Sequence, residues 1–100
     1  MKPIDTNVWY QIEAYREFYD HPRVIIACSP NGRRWLLDNR FDDQLDDYAA
    51  YFSAAPISPE VSIEDVWKNL EHQEFCEEHR VEIRRVMFDQ TKRARLLILP

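Results

Sequence analysis

The chain has 100 residues, of which 45% are hydrophobic and 13% are aromatic, and it carries a formal net charge of −5 at pH 7. This apolar content excludes a disordered chain, and a single glycine excludes collagen-like sequence and the glycine-rich loops that bind phosphates. The length predicts one compact domain over residues 1–100.

The first third of the chain predicts a helix followed by a β-hairpin. Asp5 or Thr6 caps a helix that runs to about Tyr19, because four apolar residues recur at helical spacing: Val8, Ile12, Tyr15 and Tyr19. Pro22 ends it, since the residue before a proline is pushed out of the helical region. Residues 23–29 and 33–38 read as two strands joined by a Pro-Asn-Gly turn.

The middle of the chain is strongly acidic. Five aspartates lie between Asp38 and Asp47, and apolar residues recur among them at i, i+4, i+7 and i+11: Phe41, Leu45, Tyr48 and Phe52. This spacing predicts an acidic helix over residues 40–54 with an apolar edge. The alternative is a strand over residues 48–55, because this stretch is rich in tyrosine and phenylalanine.

The last part of the chain predicts one helix and a second hairpin. Ser62 and Asp65 resemble a capping box that opens a helix running to about Glu78. Residues 81–88 and 93–99 read as strands, with a bulge near Arg84 and Arg85. The predicted fold class is therefore α+β: a small antiparallel sheet built from two hairpins, with two or three helices packed on one face.

Targeting and redox signals indicate a soluble cytoplasmic protein that does not bind membranes. No apolar run approaches the ~18–20 residues of a membrane span, and the first residues lack the apolar core of a secretory signal. Cys28 and Cys76 are too few for a disulfide framework, and Cys28 lies in an apolar run where a thiol acts as a small hydrophobic group.

Residues with catalytic or metal-binding chemistry do not form a recognisable motif. His72, Cys76 and His79 share one side of the last predicted helix, which leaves a metal site there as an alternative, but a zinc site would lack its fourth ligand. The aspartate pairs lack the spacing and the glycine of a calcium loop. We therefore predict no enzymatic activity, no metal and no cofactor.

Charge is distributed unevenly along the chain. Residues 1–79 carry a net charge of −9, whereas residues 80–100 carry +4. The simplest interpretation is that the basic end pairs internally with acidic elements beside it. Because phosphate neutralisation supplies most nucleic-acid affinity, the overall acidity argues against direct nucleic-acid binding.

The acidic segment is the best candidate for a functional site. It has two interpretations: a solvated surface, or a surface that binds a basic protein and presents carboxylates as nucleic acid presents phosphates. We favour the second, a non-enzymatic inhibitor of a basic nucleic-acid-processing protein, comparable in size and charge with immunity proteins, antitoxins and phage anti-defence proteins. The predicted partner-binding residues are Asp38, Asp42, Asp43, Asp46, Asp47, Tyr48 and Tyr51.

An alternative function is a structural or regulatory module that forms homodimers. The strand over residues 93–99 contains the consecutive apolar residues L-L-I-L, which must be buried by the fold or by a neighbour. If this strand lies at an exposed edge, it can pair with a second copy. A metal-dependent enzyme is the weakest alternative.

Overall fold

Antiparallel β-structure dominates the protein. The computed structural model describes residues 3–100, which contain nine strands. In chain order these are β1 (Trp9–Phe18), β2 (Pro22–Cys28), β3 (Arg34–Asp38), β4 (Phe41–Asp42), β5 (Asp47–Tyr48), β6 (Tyr51–Ile57), β7 (Val81–Glu82), β8 (Val86–Phe88) and β9 (Arg95–Ile98). Seven of them form one sheet in the order β7-β6-β3-β2-β1-β9-β8, and β4 and β5 form a separate hairpin.

The predicted α+β class with two or three helices is wrong. Within residues 3–100, α-helix is confined to α1 (Ile63–Lys68), and the other helical turns are short 3-10 segments at Leu70–His72, Glu77–His79 and Ile83–Arg85. The fold is therefore mostly β. The two edge strands, β7 and β8, are joined by only the 3-10 turn, so the sheet must curl until its two edges approach each other.

The first element is the strand β1 and not the predicted helix. Tyr10 and Ile12 point into the core and Gln11 points outwards, as in a strand, and the pairing register with β2 then shifts between Ile12 and Ala14. The shift returns Tyr15 to the core side. Because of this shift, Val8, Ile12 and Tyr15 all pack on the core at intervals of four and then three residues. These intervals match helical spacing, which explains why a helix was predicted.

The hairpin β2–β3 is confirmed. Its strands lie at the centre of the sheet and are covered on both faces: one face packs into the main core with Trp35 and Leu37, and the other packs with Ile26 and Leu36 beneath α1. Burial on both faces explains the near-continuous apolar sequence of this hairpin. Gly32 in the turn has a φ of 87°, a conformation that favours glycine.

The acidic helix predicted over residues 40–54 is wrong. The chain instead forms the hairpin β4–β5 and then enters the sheet as β6, so the alternative strand over residues 48–55 is right in part. Phe52 is fully buried, whereas Phe41, Leu45 and Tyr48 are exposed. The four residues therefore do not share an apolar edge.

The second predicted helix begins correctly but is too long. Ser62 caps α1 by accepting a hydrogen bond from the Asp65 amide at 3.1 Å, as predicted. The helix ends at Lys68 with Asn69 as its C-cap, and Val66 is its one buried residue. Leu70 packs against the same cluster as Val66 from the 3-10 turn Leu70–His72, and Phe75 packs there from the segment that follows this turn.

The end of the chain forms three strands and a 3-10 turn where two strands were predicted. The 3-10 turn Ile83–Arg85 interrupts residues 81–88 at the position of the predicted bulge. Strand β9 lies between β1 and β8 and pairs with both. The exposed edge expected at residues 93–99 therefore belongs to β8. No helix among residues 3–100 is both long and apolar enough to cross a membrane.

Candidate functional site

The hairpin β4–β5 carries most of the predicted site on a tight turn. Phe41 pairs with Tyr48 and Asp42 with Asp47. The Leu45 amide donates to the Asp42 carbonyl at 3.2 Å, and the Gln44 amide donates to Oδ1 of Asp42 at 2.9 Å. Aspartate favours such turns because its carboxylate competes with the backbone for amide hydrogens.

The buried side chain of Asn39 holds the base of this hairpin together. Its Nδ2 donates to the carbonyls of Ala49, at 2.7 Å, and Tyr51, at 3.2 Å. The Ala49 amide donates to the Arg40 carbonyl at 2.9 Å, which adds a backbone bond at the same level. The hairpin therefore projects from a fixed base although it contributes no strand to the main sheet.

Four carboxylates lie on the hairpin, and none of them has a cationic partner in the part of the chain that the structure describes. Within residues 3–100, none of the ion pairs involves these side chains: Asp42, Asp43, Asp46 and Asp47. Asp42 is half-buried, and the other three are exposed. Their negative charge is therefore directed to the solvent.

Exposed apolar side chains accompany the carboxylates. Phe41, Leu45 and Tyr48 are 50%, 65% and 39% exposed, and Tyr19, after the end of β1, is 69% exposed. The Phe41 and Tyr48 rings meet edge to face with centroids 5.4 Å apart. Arg23 joins Tyr19 to this group, because its Cζ lies 4.6 Å from the Tyr19 ring centroid and 3.4 Å from that of Tyr48.

Two of the predicted site residues lie apart from the exposed hairpin. Asp38 is buried at the end of β3, where its Oδ2 pairs with Nε of Arg40 at 3.0 Å. Burial raises the pKa of the Asp38 carboxyl, and the hydrogen bond from Arg40 opposes this change. Tyr51 is half-buried in β6 beneath Arg80, whose Cζ lies 4.4 Å from the ring centroid.

An open groove of about 890 Å³ runs beside the hairpin and brings Tyr51 near part of the acidic cluster. Asp42 and Asp43 line one part of it, and residues 73–75 line another. Arg40 also lines the groove, with its Cζ 4.8 Å from the ring centroid of Phe75. The structure therefore places five predicted residues on the hairpin, Tyr51 in the groove and Asp38 in the interior.

Sequence reasoning missed Tyr19, Arg23 and Asn39. Asn39 follows a buried strand, where asparagine is a frequent turn residue, so its sequence position carried a signal. Tyr19 was assigned to the buried stripe of a helix that does not exist. No local sequence pattern indicated that Arg23 belongs to this site, because its contact with Tyr48 joins residues that are distant in the sequence.

The alternative metal site depended on a helix that ends earlier. His72, Cys76 and His79 lie after the end of α1, in two 3-10 turns and the extended segment between them. In the part of the chain that the structure describes, no three His, Cys, Asp or Glu side chains are grouped as metal ligands. His79 is buried, with its ring centroid 5.2 Å from that of Trp35.

Comparisons with protein-family models, with curated proteins and with solved structures found no match to this chain.

Proposed function

We propose that this protein is a non-enzymatic inhibitor that docks the hairpin β4–β5 on a basic surface of a nucleic-acid-processing protein. Asp42, Asp43, Asp46 and Asp47 take the place of phosphates, and the exposed apolar side chains beside them supply contact area. The partner is a nuclease toxin or a host defence complex, and the inhibitor acts in the cytoplasm by occupying the partner's nucleic-acid site. It belongs by mode of action with immunity proteins, antitoxins and phage anti-defence proteins, anti-CRISPR proteins among them.

The observation that carries this proposal is the combination of unpaired charge and exposed apolar surface on one projecting element. Four carboxylates without ion pairs attract a basic partner over long distances and raise the association rate. Phe41, Leu45 and Tyr48 are exposed beside them, and aromatic side chains often dominate the energy of protein interfaces. Carboxylates alone would fit a solvated turn; the apolar side chains favour an interface.

The test uses tagged protein as bait in a lysate of the native host, followed by purification of the captured protein. The test variant replaces Asp42, Asp43, Asp46 and Asp47 with Asn. Asparagine keeps Oδ1 as an acceptor for the turn hydrogen bonds and tolerates the positive φ of Asp46. The control changes net charge equally at exposed sites elsewhere that form no ion pair within residues 3–100: Glu60, Glu64, Glu71 and Glu78→Gln.

We expect the wild type and the control to capture a nucleic-acid-binding protein that the asparagine variant does not. With the purified partner, affinity should fall steeply as salt is raised, and duplex nucleic acid should compete with the inhibitor. Equal capture by the asparagine variant, or binding of inhibitor and nucleic acid at the same time, would contradict the proposal.

A further inference from the structure

Three aromatic rings from three segments form one cluster around the acidic hairpin. Tyr19, from the β1–β2 turn, and Tyr48, from β5, both lie against the Arg23 guanidinium. The Phe41 ring from β4 meets Tyr48 edge to face. Tyr19, Phe41 and Leu45 are at least half-exposed. The candidate interface therefore extends beyond the hairpin to the β1–β2 turn.

Carboxylates and rings alternate along the two short strands of this hairpin, so the ring pair and the carboxylate pair point to opposite faces of it. Asp42 follows Phe41 and Asp47 precedes Tyr48, and these four residues form the two cross-strand pairs of the hairpin. A guanidinium group is planar, so it can stack on a ring while donating hydrogen bonds to a carboxylate. A lysine ammonium is a compact and strongly hydrated charge, which suits such a mixed surface less well.

The protein's own arginines already combine these two contacts beside the groove. Arg40 lies over Phe75 at 4.8 Å while its Nε pairs with Asp38 at 3.0 Å.

Arg80 repeats the arrangement on the same groove. It lies over Tyr51 at 4.4 Å while pairing with Glu77 at 3.5 Å. The hairpin offers the same two kinds of group, and its carboxylates form no ion pair with any residue from 3 to 100.

We propose that the partner contacts this surface through arginine side chains, which stack on Tyr19, Phe41 or Tyr48 and bind the hairpin carboxylates. This inference rests on the proposed function and names the chemistry of the partner's surface. Lysine-rich surfaces carry the same charge but gain less from the rings. The site therefore selects its partner by guanidinium content as well as by charge.

The test measures binding of two short Gly/Ser peptides at low ionic strength by titration calorimetry. One carries evenly spaced arginines, and the other carries lysine at every one of those positions. We expect the wild type to bind the arginine peptide about threefold or more tightly than the lysine peptide. Replacing Tyr19 and Tyr48 with Leu should bring the ratio close to one.

Controls separate the rings from charge and from folding. Trp9→Leu removes an exposed aromatic ring at the other end of β1 and should keep the arginine preference. Tyr19→Leu alone keeps the Arg23–Tyr48 contact and, because Tyr19 is 69% exposed, should leave the fold intact while lowering the ratio. Thermal unfolding of each variant verifies its fold.

Equal affinities of the wild type for the two peptides would overturn the inference, as would a preference that survives loss of both tyrosines. In either case the proposed function stands if the asparagine variant still loses its captured partner. If that variant keeps its partner, the proposed function itself fails. The two failures are therefore distinguishable.

Discussion

Asn39 donates a hydrogen bond to the carbonyl of Ala49 at 2.7 Å, across the base of a hairpin that otherwise lies outside the main sheet. This contact fixes where the acidic turn leaves the fold. A second bond to the Tyr51 carbonyl ties the same amide to the start of β6. One buried side chain therefore connects the core to the candidate interface.

Replacing Asn39 with Ala should lower the free energy of unfolding by about 1–3 kcal/mol, because two carbonyls lose a donor at a buried position. Urea denaturation measures the change, and hydrogen exchange should rise most at the amides of residues 45–48. Asn69→Ala is the control, since Asn69 is exposed and donates one bond to the Asp65 carbonyl. Equal losses in the two variants would refute the role given to Asn39.

Asp46 has a φ of 52°, in the left-handed region that β-branched residues rarely adopt. Asp46→Val should therefore lower the free energy of unfolding by about 1–2 kcal/mol. Asp43→Val removes the same charge from the same turn, but Asp43 is not among the residues with positive φ, so its effect should be smaller. Thermal unfolding of the two variants provides the comparison, and Asp46→Gly should restore stability.

The lowered pKa of His21 predicts that the protein loses stability in mild acid. Burial lowers the pKa of its imidazole below 6.5, and its ring contacts those of Phe52 and Phe88. Between the ordinary pKa and the lowered one, the unfolded chain binds more protons than the folded chain. The free energy of unfolding should therefore fall as the pH drops below about 6.5.

His21→Phe removes this titration and keeps an aromatic ring in the same pocket. We expect the variant to lose less stability than the wild type between pH 7.5 and pH 5, measured by urea denaturation at each pH. His72→Phe is the control, because His72 is exposed. An unchanged pH dependence in the His21 variant would exclude His21 as the cause.

The raised pKa of the Asp38 carboxyl predicts the opposite dependence of stability on pH. Because burial raises the pKa of this carboxyl, the folded chain holds its proton at a pH where the unfolded chain has released it. Its contribution to stability therefore falls as the pH rises above the ordinary carboxyl pKa of 3.8. Asp38→Asn should raise the free energy of unfolding at neutral pH and should lose this advantage near pH 3. A less stable variant at pH 7 would show that the ion pair with Arg40 outweighs the cost of burial.

The parts of the fold that depend on local sequence could be predicted. The β2–β3 hairpin follows from an apolar run, a Pro-Asn-Gly turn and a second apolar run. The Ser62 cap likewise depends on residues three apart. In both cases the interactions that select the structure lie within a few residues of one another.

The remaining errors have physical causes. The register shift after Ile12 changes the spacing of core residues within β1, so the strand imitates a helix. Asp42 and Asp47 accept hydrogen bonds from backbone amides of the hairpin, although the spacing of apolar residues in this segment also fits a helix. The structure therefore places most of the predicted site residues on a hairpin and not on a helix, and the proximity of Tyr19 and Arg23 depends on contacts that local sequence does not reveal.

The pairing of β1 with β9 has a consequence for how the chain folds. Residues 9–11 bond to residues 95–97, so the sheet closes only after a loop of more than eighty residues has been brought together. During synthesis, one side of β1 therefore stays uncovered until β9 has been made and has paired with it. Such non-local closure is intrinsically slow and leaves an apolar edge open to aggregation until the final strand arrives.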